Sequence, residues 1–519
     1  MIADDRKTTV SFFDKAVLPW FICGIGMLFY CFNYFLRVSP SVMQNDLMQN
    51  LHITAYQFGN LAAFYYYAYT PMQISVGMIY DRFGARFVLF FACLVAITGL
   101  ATFIMADTLT IASLGRFLIG LGTAFAYVGV LKLALLWLPP NRFAAVAGLT
   151  SAFGMSSAIF SNFYLTKFVH LLGYKSALYT ALFVGMGLSV AILLFMRNKP
   201  QAPGTPKQPT KSLKLIFAEL GAIIFLSVVL FIFIKILTPV FILFILFVLF
   251  FGQFIDTSKM STFLRLESLH PVQTPNFNHI LKKMFYGLTV TLINQQMILV
   301  GVIGCLFYLP ASVFLDLWGI PYLKTVYQLS AIQAAFVVNM TFVGWIISGP
   351  SIGALSDKIK RRRLPLLICA IMSALLLTTA FYVPGIPLAG LCALFFFVGI
   401  FCGAHPLCFA LGKENNPHSI SGTAVAVTNT LIMVGGAIFQ PIVGKLLDWH
   451  TSGALQANGT PLYSASDYSY ALCVVPLGLL LAVVLSFFLR ETYCESYELN
   501  LRRREQEAGQ LELQPELQS

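Results

Sequence analysis

The chain has 519 residues, of which 58% are hydrophobic and 10% charged, with a net charge of +12 and a mean hydropathy of +0.79. A soluble domain carries about 25% charged residues, so this composition excludes an ordinary soluble protein and assigns most of the surface to lipid. The basic excess lies in short loops beside apolar runs, where it acts as a topology signal; no nucleic-acid partner is expected.

The first apolar run begins near Ala16, is long, and has no small-residue cleavage site, so it reads as a span that stays in the protein. A span needs about 20 mostly apolar residues. That length predicts spans at 16–44, 56–79, 87–106, 110–138, 143–167 and 174–196, then at 294–318, 327–352, 364–383, 386–411, 420–445 and 471–489. Each must be helical, because lipid offers backbone polar groups no partner. The expected organisation is an N-terminal six-helix bundle over 1–199, a cytoplasmic linker with an apolar insert over 200–283, a C-terminal six-helix bundle over 284–490, and a cytoplasmic tail over 491–519. The insert, 213–255, is broken near Pro239 and flanked by Lys211, Lys214, Lys259 and Arg265. Basic flanks on both sides require an even number of crossings, met by a two-helix hairpin or by a segment that dips in without crossing. Residues 276–293 read as an interfacial amphipathic helix.

Basic residues concentrate after the even-numbered spans (Arg82, Arg86, Arg142, Arg197, Lys199, Lys358 to Arg363, Lys413) and are sparse in the opposite loops. This asymmetry places both termini in the cytoplasm of a multi-pass plasma (inner) membrane protein. Cys23, Cys31, Cys93, Cys369, Cys392, Cys402, Cys408 and Cys473 lie within apolar runs and show no metal-ligand spacing. No metal or cofactor is expected, and no nucleotide-binding or hydrolase motif is present to make the chain an enzyme.

Two loops repeat. Gly77-Met-Ile-Tyr-Asp81-Arg82-Phe-Gly84-Ala-Arg86 follows the second span, and Gly353-Ala-Leu-Ser-Asp357-Lys358-Ile-Lys360-Arg361-Arg362 follows the eighth. This repeat resembles the signature of the major facilitator superfamily, G-x-x-x-D-R-x-G-R-R, with Ala85 in place of the first terminal arginine and Lys360 where glycine is expected. Arg116-Phe-Leu-Ile-Gly120-Leu-Gly122 resembles the family's fourth-helix motif. Lys132, five residues before Trp137, resembles the anion:cation symporter branch that includes the hexuronate transporters, and Tyr34-Phe-Leu-Arg37 resembles the first helix of the glycerol-3-phosphate transporters. A looser likeness, in Gly115 to Gly122 and Gly148 to Gly154, is to lysosomal dipeptide transporters. The resemblance implies an all-α fold of two pseudo-symmetric six-helix bundles with a solute site between them near the bilayer midplane. It also implies secondary transport of a small molecule by alternating access, as a monomer, driven by a coupling ion such as a proton or sodium. Gly77, Asp81, Arg82, Arg86 and Arg142 would form a cytoplasmic latch, with Gly353, Asp357 and Lys413 as its counterpart.

A charge at bilayer depth costs about 2.5–3.5 kcal/mol on insertion scales, so it faces a cavity, a partner or the interface. Arg37 reads as a cavity group or as a snorkelling side chain, Lys132 as a substrate or gating group or as a snorkelling side chain, and Arg116 as structural or as part of coupling. Acids are scarce in the spans, with Asp316 near the outer end of the seventh. Cavity cations without acids favour a solute that brings a carboxylate: an organic anion, amino acid or small peptide. Tyr66, Tyr69, Gln73, Asn339, His405 and Asn429 are further candidates for solute contact. The alternatives are a drug exporter or antiporter and a non-transporting solute sensor of the same fold.

Overall fold

A computed structural model describes residues 17–139, 142–197, 286–455 and 461–499. The expected insert at 213–255, the linker before it, most of 276–293 and the tail beyond Leu499 lie outside the described residues.

Among the described residues, twelve helical rods follow the predicted spans. The first six are α1 (Leu18–Val42), α2 (Ala55–Phe83), α3 (Ala85–Ile104), α4 (Leu109–Trp137), α5 (Phe143–Leu172) and α6 (Tyr174–Phe195). The second six are α7 (Gln295–Val326), α8 (Ala331–Ile359), α9 (Arg363–Tyr382), α10 (Leu388–Glu414), α11 (His418–His450) and α12 (Ala465–Ser486). Ten of them are long and apolar enough to cross a membrane. The other two, α2 and α5, hold 29 and 30 residues. That exceeds the length of a span, but α2 carries six Tyr with Gln57, Asn60 and Gln73, α5 carries four Ser with Thr150, Asn162 and Thr166, and both face the opposite half of the molecule as well as their own. Several rods run past their predicted ends. α2 starts at a cap and continues to Phe83, α11 reaches His450, and α12 begins at Ala465 with an amphipathic turn that apolarity alone does not mark.

The two sets of six share internal detail. α2 and α8 both start with a capping box, Thr54 with Gln57 and Ser330 with Gln333, which satisfies the orphan donors of the first turn. Asp81 and Asp357 stand at the same offset from those glutamines. α4 is broken at Ala124–Phe125 and α10 at Gly403–Pro406. Gly120 of α4 packs on the backbone of Tyr65 in α2, and Gly399 of α10 packs on the backbone of Thr341 in α8. At these crossings no room remains for a Cβ, the close approach that small residues permit in membranes. Replacing Gly399 by leucine is expected to cost at least the 1–3 kcal/mol or so of an overpacked core, read as a fall of several degrees in the melting temperature in detergent. The same change at Gly353, where an added Cβ meets nothing within 4 Å, is expected to leave melting unchanged.

The rods define two ends of the molecule. Thr54, Ser330, Asp448 and Tyr463 mark one, here the cap end; Asp81 and Asp357 mark the other, the motif end.

Candidate functional site between the two halves

Arg37 is positioned by consequences of a proline. Pro40, inside α1, has no N–H to give the carbonyl of Leu36. Two side chains replace the missing donor: Ser39 Oγ at 2.9 Å and Arg116 Nη1 at 2.8 Å. Arg116 Nη2 also reaches the Arg37 carbonyl at 3.5 Å, and its guanidinium lies over the Tyr65 ring at 5.4 Å. Arg116 is 2% exposed, and its partners are backbone carbonyls, so of its two readings the structural one describes this conformer. It holds the turn of α1 that carries Arg37.

Asp316 approaches from the other half. It lies on a π-helical stretch of α7, Pro310–Trp318, a geometry that redirects side chains and recurs at functional sites. α11 braces this stretch: Gln440 Nε2 donates to the Ser312 carbonyl at 2.6 Å, and Trp318 Nε1 donates to the Gln440 carbonyl at 3.3 Å.

The two charges meet at the interface. Arg37 Nε and Nη2 lie 2.8 and 2.7 Å from Asp316 Oδ2, and the side chains are only 4% and 3% exposed. Arg37 Nη2 also donates to the hydroxyls of Tyr66 and Tyr308, each at 2.8 Å, while the Tyr66 hydroxyl donates to Asp316. The rings of Tyr34, Tyr66 and Tyr308 surround the guanidinium at 5.5, 5.2 and 5.6 Å, within cation–π range. An acid-free cavity shared by Arg37 and Lys132 is therefore corrected: Arg37 has a buried carboxylate partner, and Lys132 sits elsewhere. Asp316 is not at the end of its span: α7 runs on to Val326, which leaves the residue inside the rod.

Lys132 Nζ pairs with Asp81 Oδ1 at 2.6 Å at the motif end, with the side chains 27% and 70% exposed. An ion pair this wet contributes about 0–1 kcal/mol. The expected base, Arg142, is exposed at the start of α5; Lys132 takes the place because α4 packs directly beside α2. Asp357 pairs with Arg362 at 2.7 Å, not with the exposed Lys413, and Arg362 in turn pairs with Glu414 at 2.8 Å. Arg86 donates to the Leu193 carbonyl at 2.7 Å, tying α3 to the end of α6. The Arg82 side chain lies outside the described residues. Gly77, like Gly353, faces open space in this conformer.

The remaining candidates divide. Tyr66 is in the Arg37 cluster, and Tyr69 is buried and stacked on Tyr65 at 5.4 Å. Gln73 donates to the Ala124 carbonyl at 3.2 Å, where the break in α4 frees an acceptor. Asn339 accepts from Asn162 of the other half at 2.8 Å. His405, at the break of α10, is 7% exposed, and its ring lies 4.8 Å from that of Tyr308. Asn429 is half-buried on α11. Tyr308 was not singled out from sequence, since one tyrosine in an apolar span carries no distinguishing signal. Asp316 carried one, as an acid inside a span.

The halves are joined tightly at the cap end. Asp448 of α11 accepts the N–H groups of Ala55 and Tyr56 at 3.1 and 2.9 Å, and Tyr463 also binds the Ala55 N–H at 3.0 Å. Gly444 packs on the Ala55 backbone and Gly59 on that of Gln440. Contact between α2 and α11 continues down to Thr430 Oγ1 and the Thr70 carbonyl, 3.5 Å apart. Beyond that level, Gly77 of α2, Gly422 of α11, Gly148 of α5 and Gly353 of α8 all face open space.

The profile of the Major Facilitator Superfamily matches residues 23–440 and 302–504. The chain belongs to the major facilitator superfamily. Within it, the chain is 35% identical to an uncharacterized transporter, YybO, of Bacillus subtilis (strain 168), over 28% of this chain and only 32% of that one. It is 22% identical to the probable galactarate/D-glucarate transporter of Escherichia coli (strain K12), over 83% of this chain and 87% of that one. Among solved structures, a bacterial homolog of the human lysosomal transporter Spinster aligns with a TM-score of 0.59 at 14% identity, covering 94% of this chain and 98% of that one. This superfamily member is thus a multi-pass membrane protein with the expected fold.

The segment after α12 straps the motif end of the second half. Glu491 accepts the N–H groups of Arg362 and Arg363 at 2.7 and 3.1 Å, capping α9, and Glu498 accepts the His418 N–H at 3.0 Å. The His418 N–H and the Ser496 hydroxyl help hold the Glu498 carboxyl below its ordinary value, against its partial burial. A depressed folded value means that this contact stabilises above the unfolded pKa of about 4.3 and is lost as pH falls through the lower folded value. The protection factors of residues 490–499, taken relative to intrinsic exchange at each pH, are expected to be high at neutral pH and to fall as pH drops below the ordinary carboxylate range.

Proposed function

We propose that this transporter carries a small organic acid across the plasma membrane by alternating access, with Arg37 receiving the substrate carboxylate. The observation that carries the reading is the buried Arg37–Asp316 pair, which spans the two halves among the hydroxyls of Tyr66 and Tyr308. Asp316 is the internal stand-in for a substrate: a carboxylate held by the arginine when the site is empty. An entering carboxylate competes for the guanidinium, and a proton on Asp316 removes the charge that would otherwise be left unpaired in a low-dielectric interior. Uptake is then symport of an organic anion with a proton, and release restores the pair. The relation to the galactarate/D-glucarate transporter supports a hydroxylated sugar acid as the substrate class.

The basic-loop asymmetry puts the motif end and both termini in the cytoplasm. The contacts at the cap end and the open glycines at the motif end then describe an inward-facing conformer. In the opposite conformer the glycine-bearing ends of α2, α11, α5 and α8 approach one another.

The test is a thermal-shift panel on purified protein with glucarate, glucuronate, dipeptides and cationic drugs. A ligand that binds only the folded state stabilises it by about 2.7 kcal/mol at a hundred times its dissociation constant. A shift with sugar acids that is lost in Arg37→Met supports the site, and proteoliposome uptake that rises with an inward proton gradient supports the coupling. A shift with cations alone overturns the carboxylate reading.

A further inference from the structure

Among the described residues, most polar groups of the Arg37 cluster are paired, but around it Arg116 Nε, Gln440 Oε1 and an imidazole nitrogen are not. His405 Nε2 is buried without a hydrogen-bond partner among the described residues. Its ring is caged by aromatics, with centroids 4.8 Å from Tyr308, 5.9 Å from Trp345 and 5.4 Å from Phe409. Tyr308 is the residue whose hydroxyl binds Arg37 at 2.8 Å, so the imidazole lies one side chain away from the proposed carboxylate site. A buried polar atom left without a partner costs free energy, so it calls for an explanation. Arg116 and Gln440 bind backbone carbonyls through their other polar atoms, whereas the His405 ring makes no hydrogen bond among the described residues. Phenylalanine or leucine would fill an aromatic cage without that penalty.

We infer that His405 is the specificity-determining residue for the hydroxylated part of the substrate, its Nε2 forming a hydrogen bond with a hydroxyl on the carbon chain while Arg37 holds the carboxylate. This rests on the carboxylate reading above. Two features favour a hydroxyl. A neutral imidazole nitrogen makes one hydrogen bond, as donor or acceptor according to tautomer, and a hydroxyl serves either way. The rings nearest His405 among the described residues are uncharged, so no cation other than Arg37 draws an ionised group to Nε2. Asp316 remains the resident carboxylate of the empty state, whereas His405 has no resident substitute and stays unpaired until substrate arrives. The break of α10 at Gly403–Pro406 places this residue on a turn between two helical pieces, where ring orientation can adjust as the halves move.

The test compares glucuronate, gluconate and the unhydroxylated hexanoate and adipate as ligands in thermal-shift and proteoliposome assays. Wild-type protein, His405→Phe and His405→Gln are each assayed. Loss of one hydrogen bond at a site built for it is expected to cut the preference for hydroxylated over unhydroxylated acids by about tenfold in His405→Phe. His405→Gln, which keeps a polar group in the cage, restores part of that preference. Melting of the ligand-free proteins shows that the variants are folded, and hexanoate binding is the reference against which the preference of each is taken. An unchanged preference in His405→Phe overturns the role of His405 while leaving the Arg37 site standing. Failure of every carboxylate to bind wild-type protein overturns the Arg37 site, and the role of His405 with it.

Discussion

Asp316→Ala is expected to destabilise the protein by about 3–5 kcal/mol, the cost of breaking a buried ion pair from one side. The loss comes from Arg37, which keeps its charge at 4% exposure without its carboxylate. Tyr66 and Tyr308 still accept from it, but two hydroxyls do not neutralise a guanidinium. The double variant Arg37→Met with Asp316→Leu is expected to recover most of that stability, because well-packed apolar groups replace a buried pair at little or no cost. It is expected to be inactive in uptake, since no cation remains for the carboxylate. Melting temperature and proteoliposome flux, measured on the three proteins, separate the two contributions. Single-variant loss with double-variant recovery of stability alone identifies the pair as a functional device maintained against packing. Recovery of flux in the double variant would show that Arg37 does not handle substrate.

Asp448→Ala is expected to shift the molecule towards the conformer open at the cap end. The Asp448 carboxylate sits where α2 begins and takes two of its orphan N–H groups from across the interface. A negative charge at a helix N-terminus is favoured by the helix dipole as well as by the hydrogen bonds. The Tyr463 hydroxyl joins both sides: it binds Asp448 and the Ala55 N–H, and burial beside this carboxylate pushes the phenol well above its ordinary value, so it remains a donor. Loss of a cap costs about 0.5–2 kcal/mol, and here the loss falls on one conformer only. A differential of about 1.4 kcal/mol is a tenfold shift in population. Hydrogen exchange at residues 54–60 is expected to speed up in Asp448→Ala, with that at Asp81 to Phe83 slowed or unchanged. Equal acceleration at both ends would mean general destabilisation and not a shift between conformers.

The spans and their grouping were legible because lipid imposes a length and an apolarity that a linear sequence displays directly. The glycine–aspartate motif was legible as a repeat, through Asp81 and Asp357 at the same point of each half. Partnership was not. Arg37 and Asp316 are 279 residues apart in the chain, and no local pattern marks their meeting. Read in isolation, Arg37 lacked a countercharge, and the acid-free cavity followed from that. Lys132 was assigned to the same cavity because depth along a helix does not tell which face a side chain takes; the structure turns it to Asp81. Arg116 shows the reverse case: Pro40 predicts a free carbonyl at Leu36, but only packing shows which donor fills it. Asp448 and Tyr463 escaped notice because they cap a helix of the other half, a role with no local signature.

The central claim, that Arg37 alternates between Asp316 and a substrate carboxylate, is tested most directly by measuring glucarate affinity in wild-type protein and in Asp316→Asn by calorimetry at neutral pH. Asparagine keeps the size of the side chain and removes its charge, so the competitor for Arg37 is weakened while the arginine stays in place. The account predicts tighter binding in Asp316→Asn, by about tenfold for the 1.4 kcal/mol or so of one lost charge-assisted contact, together with slower proton-driven uptake. Equal or weaker glucarate binding in Asp316→Asn would contradict it, and would make the buried pair a structural clasp between the halves.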